Sequence, residues 1–96
     1  MEFDWDPAKA DSNAKKHRVT FLTAITVFDD PYALIAPDTK HSAEEEREWI
    51  IGESDDGVLV VVFVHRFENQ VYRIISARRA NRRERKLYEE FKRFPF

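Results

Sequence analysis

Val58 to His65 reads VLVVVFVH, seven apolar residues closed by a histidine. An unbroken apolar run of this length predicts a strand buried on both faces, at the centre of a sheet. Its neighbours follow from weaker patterns. Arg47 to Gly52 alternates, with Trp49 and Ile51 on one face, and Glu53 to Gly57 ends in an Asp-Gly pair that signals a hairpin. Val71 to Ala77 is a further strand after a turn at Glu68-Asn69-Gln70, and Ala33 to Pro37 is a short one. Glu2-Phe3-Asp4-Trp5 alternates as a short edge strand would. Asp38 to Glu45 is a polar loop.

Helices are marked by their ends. Asp6-Pro7 supplies an N-cap and a proline at the first helical position, and Lys15, Lys16 and His17 suit the C-terminal end of the dipole. Thr20 caps a second helix with Ala24, Ile25 and Phe28 as its apolar stripe, ended by Asp29-Asp30-Pro31. Asn81 and Glu84 have the spacing of a capping box and open a last helix whose apolar face is Leu87, Tyr88, Phe91 and Phe94. The predicted order is two helices, a four-stranded antiparallel meander and one helix. Blocks of each type, without alternation, argue an α+β fold.

The 96 residues suit one domain spanning 1–96, with 43% hydrophobic and 35% charged side chains, as a globular chain has. A chain this short has a modest core and gains from a partner. With no cysteine, disulfides and thiolate metal sites are excluded and the chain fits a reducing cytoplasm. No apolar run approaches the roughly 20 residues of a membrane span, and the first residues lack the pattern of a signal peptide.

Charge changes the picture most. Residues 1–64 hold 6 basic and 14 acidic side chains, whereas residues 65–96 hold 10 basic and 4 acidic. Six of the eleven residues from Ser76 to Lys86 are Arg or Lys. Arg82 and Arg83 fall at the first two positions of the last helix, where the dipole disfavours cations. A bound polyanion explains that arrangement, since helix N–H groups and arginine forks both suit phosphate. The alternatives are pairing with the acidic part of the chain, or a solvated face with Glu84, Glu89 and Glu90 as partners. Arg73 lies mid-strand and needs a partner, either a carboxylate such as Glu46 or Glu48 or a ligand phosphate. Strict alternation puts Tyr72, Ile74, Ser76 and Arg78 on one face of that strand, and Val71, Arg73, Ile75, Ala77 and Arg79 on the other.

FDWDPAKADSNAKKHRVTFLTAITVFDDP, a later Glu46-Arg47 pair and RIISARRANRRERKLYE together resemble the BrnT toxins over nearly the whole chain. The D-P-x-K-A-x-x-N start and the R-I-I-S-A-R-R-A block carry the resemblance. It implies a bacterial ribonuclease toxin of a type II toxin–antitoxin pair, with a RelE-like fold. It also implies a BrnA-like antitoxin carrying a ribbon-helix-helix part. Promoter DNA would be met only through the toxin–antitoxin complex.

The expected chemistry is metal-free. No cofactor motif is present, and three scattered histidines without cysteine give no metal constellation. RNA can be cut by attack of its own 2′-OH on the adjacent phosphate, with the protein positioning the strand and offsetting charge. Arg73, Arg78 and Arg79 are the expected phosphate-binding and charge-stabilising residues. His65 is the candidate general acid or base, with Glu46 as a second. Lys15, Lys16, His17, Arg82 and Arg83 would extend the RNA contact. The alternative is a non-catalytic module that binds nucleic acid or an acidic protein through the same basic patch.

Overall fold

The computed structural model describes residues 1–40, 46–66, 68 and 70–94. Its elements are β1 (Glu2–Asp4), α1 (Pro7–His17), α2 (Phe21–Ala24), a 3-10 segment (Ile25–Asp29), β2 (Leu34–Pro37), β3 (Glu48–Ser54), β4 (Gly57–Arg66), β5 (Val71–Arg79) and α3 (Arg82–Arg93). The α+β class holds. The last four strands form the expected meander, but β1 joins it beside β5, in parallel, so the order is β1-β5-β4-β3-β2. The expected four-stranded antiparallel, RelE-like sheet is therefore corrected to a five-stranded mixed one. Three residues of β1 suffice, because Phe3 reaches the aromatic group of Phe28 and Tyr72. Part of the predicted polar loop, residues 41–45, lies outside the described residues.

The local signals act as their chemistry demands. Asp6 Oδ1 accepts the Ala8 N–H (2.9 Å), and α1 ends at Arg18, whose φ of 59° is left-handed. Thr20 Oγ1 accepts the Thr23 N–H (3.1 Å). The helix it starts is not the single second helix predicted: it gives one α turn and then tightens to 3-10. Four of the five residues from Thr23 to Val27 are β-branched, and Thr26 Oγ1 donates back to the Thr23 carbonyl at 2.6 Å. Both features weaken a regular α-helix. The β3–β4 hairpin turns on Asp55 and Asp56, with Gly57 at φ +92°. Gly52 serves packing: a β-carbon there would lie 2.7 Å from Val27 Cγ1, so glycine lets the 3-10 segment rest on β3.

The sheet separates two unequal packings. On one face, Leu59, Val61, Phe63, Ile50, Ile74 and Ala77 join Val19, Phe21, Ala24 and Val27 in the main core. On the other, Ile51, Val60 and Ala80 meet α3 through Tyr88 alone among its fully buried residues. The expected apolar face of α3 is thus corrected: Leu87, Phe91 and Phe94 are 51%, 38% and 61% exposed.

Strict alternation along β5 fails as well. Val62 faces Ser76 while Phe63 faces Ile74, so Ile75 is left over as a bulge. One extra residue switches faces. Tyr72, Ile74, Ala77 and Arg79 lie toward the main core, opposite His65, Phe63, Val61 and Leu59; Arg73, Ser76 and Arg78 lie toward α3.

Candidate nucleic-acid interface

β1 ends its pairing at Arg73, which leaves the rest of β5 as a strand edge. Asn13 of α1 takes over there. Its Nδ2 donates to the Ala77 carbonyl (2.8 Å) and the Val19 carbonyl (3.1 Å), and its Oδ1 accepts the Ala77 N–H (3.1 Å). The buried amide imitates a strand for one residue and fixes α1 against the bulge. Residues one turn either side of Asn13 then overhang the edge. Lys9, Ser12, Lys16 and His17 line a groove of about 230 Å³ whose other wall is Ile75 and Ser76. Arg79 is not part of the lining but reaches its backbone, donating from Nη1 to the His17 carbonyl at 3.3 Å while Nη2 lies 4.0 Å from Asp56 Oδ2.

The remaining predicted site residues are dispersed. Arg73 pairs with Asp4 of β1 (3.2 Å), not with Glu46 or Glu48. Arg78 forks onto Glu84, with bonds of 2.7 and 2.9 Å. Their β4 partners, Val64 and Val60, are four residues apart, so about 13 Å of strand separates the two arginines, at 3.3 Å per residue. Glu84 at the same time accepts the Asn81 N–H, and Asn81 Oδ1 accepts the Glu84 N–H, completing the predicted capping box. The Arg78 guanidinium holds the Glu84 carboxyl below its ordinary range, and Glu84 raises Arg78 in return. The charge crowding at this helix start therefore has a structural component: one of its six cations is neutralised by the cap.

His65 is on the main-core face, away from Arg73 and Arg78. Its Nε2 lies 2.9 Å from Glu48 Oε1, and its ring stacks on Phe63 and meets Tyr72 edge-on at 4.6 Å. It caps an aromatic cluster that includes Phe3 and Phe28. Glu46 is exposed in the segment ahead of β3, and Lys15, Arg82 and Arg83 are exposed on their helices. So the structure gathers Lys16 and His17, with Arg79 bonded to the His17 carbonyl beside them, and it leaves Arg73, Arg78, His65, Glu46, Lys15, Arg82 and Arg83 outside that groove. Lys9, Ser12 and Ser76 were missed by sequence reasoning. The spacing Lys9, Ser12-Asn13, Lys16 was their signal, since such positions share one side of a helix.

A second cleft, about 590 Å³, opens between α3 and the sheet. Trp49, Ile51, Val60 and Val62 form its floor and Leu87 one wall, while Arg47, Asp38, Arg78 and Glu84 sit at its rim. α3 is held over it by Tyr88, whose hydroxyl donates to Asp30 Oδ2. Burial and the Asp30 carboxylate both raise the Tyr88 phenol, which keeps it a donor. Burial pushes Asp30 upward, but hydrogen bonds from Tyr88 and from the Glu53 and Tyr32 N–H groups outweigh it, so the net shift is downward. Among the described residues, no three His, Cys, Asp or Glu cluster as metal ligands would, and no helix is long and apolar enough to cross a membrane.

Residues 5–84 match the model of a family described as "Ribonuclease toxin, BrnT, of type II toxin-antitoxin system". No curated protein matches the chain.

Proposed function

This chain belongs to the BrnT family of type II ribonuclease toxins, and from that premise we propose that it cuts RNA laid across the open edge of β5, beside α1. The observation that carries this reading is the groove in which Lys9, Lys16 and His17 face Ser76 across the bulge, with Arg79 bonded to the His17 carbonyl. The groove combines three things an RNA phosphate needs: lysine cations from Lys9 and Lys16, hydroxyl groups from Ser12 and Ser76, and a histidine, the residue type suited to proton transfer.

The reaction is transesterification. The ribose 2′-OH attacks the adjacent phosphorus, the bond from phosphorus to the 5′-oxygen breaks, and a 2′,3′-cyclic phosphate and a free 5′-OH result. The substrate supplies the nucleophile, so the chemistry requires no metal-bound water. Lys9, Lys16 and Arg79 hold the phosphate and offset the charge that builds on its oxygens. His17 moves the proton, taking it from the 2′-OH or giving it to the leaving oxygen. Arg73, Arg78 and His65 face carboxylates already, and in this reading they support the fold. Family membership implies an antitoxin partner. We take it to be BrnA-like with a ribbon-helix-helix part, so that promoter DNA is met only by the complex, in the cytoplasm.

The test is cleavage of total RNA by the purified chain, with and without EDTA. Cleavage should survive EDTA, and His17→Ala should lower the rate about 10²- to 10⁴-fold, the usual contribution of a positioned acid or base. Lys15→Ala, one residue outside the groove, should cut at close to the wild-type rate. Undiminished cleavage by His17→Ala overturns the assignment. Retardation of RNA by the wild-type chain without cleavage would favour the binding-module reading.

A further inference from the structure

α3 leaves an unusual surface uncovered. Leu87 walls the 590 Å³ cleft. Phe91 follows it by four residues on the same side of the helix, and Phe94, the residue at the helix's C-terminal cap, follows by seven. Exposures of 51%, 38% and 61% make this a stripe of large apolar side chains in solvent, in line with the apolar floor of Trp49, Ile51, Val60 and Val62. Contiguous apolar surface of this kind marks an interaction site. Its surroundings are cationic: α3 carries Arg82, Arg83, Arg85, Lys86, Lys92 and Arg93 against Glu84, Glu89 and Glu90. Glu84 is already occupied by Arg78, and Lys92 by Glu53 at 3.5 Å, which leaves five cations against two acids on the helix.

We propose that this trough docks an acidic, amphipathic segment of the antitoxin. Its apolar side chains would enter the cleft and lie along Leu87, Phe91 and Phe94, and its carboxylates would face the α3 cations. The proposal rests on the type II family reading for the existence of that partner, and adds the surface and the chemistry of the segment. Charge complementarity selects this occupant. A second copy of the chain meeting the same surface by two-fold symmetry would set six α3 cations against six more. RNA would meet the cations, but it has little to cover three exposed apolar side chains. An apolar stripe at four- and three-residue spacing with a charged border instead fits the way a groove holds an amphipathic segment.

Ile75 and Ser76 line both the cleft and the RNA groove, but the residues varied in the test, Leu87, Phe91 and Phe94, lie outside that groove. A BrnA-like antitoxin is titrated, by calorimetry, into the wild-type chain, the Leu87→Glu/Phe91→Glu double variant, Phe94→Glu, and Ile35→Glu as a control. Ile35 is a 57% exposed apolar residue on β2, facing away from α3. The double variant should weaken binding about a hundredfold or more, as loss of two anchoring side chains does. Phe94→Glu should weaken it less, and Ile35→Glu should change it less than about threefold, as substitutions outside an interface centre do. RNA cleavage by each variant alone should equal that of the wild type, which also reports correct folding. Binding of the double variant within threefold of wild type overturns the proposal, and so does loss of RNA cleavage with antitoxin binding intact, which would give the cleft to RNA. If no variant cuts RNA, the wild type included, yet the double variant loses the antitoxin, the groove assignment fails and the docking surface stands.

Discussion

Val62 and Phe63 are neighbours on β4 and face opposite ways. Phe63 is 1% exposed, wedged between Phe28, Tyr72 and His65 at ring-centre distances of 5.0 to 5.5 Å. Val62 opens into the cleft beneath α3. The main-core face draws on β1, α1, α2 and the 3-10 segment, whereas the α3 face depends on Tyr88 and a few polar ties. A 96-residue chain has apolar area enough for one well-packed layer, and here the second layer is kept thin. What the thin layer leaves is surface: a cleft and an unpartnered apolar stripe. The larger core lies on one face, and the proposed contacts with RNA and antitoxin fall on the sheet edge and on the other face.

The largest expected effect tests that division directly. Phe63→Ala should cost about 3–5 kcal/mol, the usual range for a buried aromatic, read as a shift in urea midpoint at constant slope. Phe91→Ala, the same change on the α3 face, should stay within about 0.5 kcal/mol, as exposed substitutions do. Equal costs would mean that the two layers contribute alike and that the comparison is wrong.

Asn13 comes next. Replacing it by the nearly isosteric leucine removes the partners of the Ala77 N–H, the Ala77 C=O and the Val19 C=O, all at a buried site. Three stranded backbone groups should cost about 3–4 kcal/mol together. Hydrogen exchange would localise the loss: the Ala77 amide should lose protection well before amides of the β3–β4 ladder. A uniform loss would show that Asn13 supports the whole core and not the β5 edge.

How much of this was legible in the sequence depends on the range of each signal. Caps and turns are local, and Asp6, Thr20, Asn81 with Glu84, and Asp55 to Gly57 all act where their residue types predict. The central strand announced itself because both its faces are buried. The β1–β5 pairing was not legible, since parallel partners separated by most of the chain leave no local mark. Nor was the bulge at Ile75, because β5 alternates acceptably in either register until β4 fixes the pairing. That single residue moved Ile74 and Ser76 to opposite faces and undid the expected grouping along β5. Site residues fared accordingly. Charge pattern identified the basic third of the chain, but arginines look alike in sequence whether they meet a ligand or, like Arg73 and Arg78, a carboxylate. Asn13 was visible only as part of a motif; its task depends on a strand 64 residues away.

The smallest expected effect concerns the polar tie between α3 and β5. Glu84→Gln keeps an oxygen to accept the Asn81 N–H, so the capping box survives, but it removes the charge facing Arg78. At neutral pH the ion pair, largely at the surface, should be worth about 0.5–1 kcal/mol. Its pH dependence has a definite sign. The hydrogen bonds from Arg78 depress the Glu84 carboxyl in the folded chain below its ordinary value of 4.5. The unfolded chain therefore binds the proton first as pH falls, and the folded chain loses stability through that window. The contribution is complete above about pH 5.5, one unit over the unfolded value, and disappears as pH drops through the folded value. Asp30 is depressed too, but it remains in both proteins and cancels in their difference. The stability gap between wild type and Glu84→Gln should hence be constant from pH 8 to about 5.5 and close below 4.5, measured by urea denaturation across that range. A gap that did not narrow at all as pH fell below 4.5 would mean that glutamine disturbs the helix cap itself, and that α3 is fastened to β5 by the shape of the cap and not by its charge.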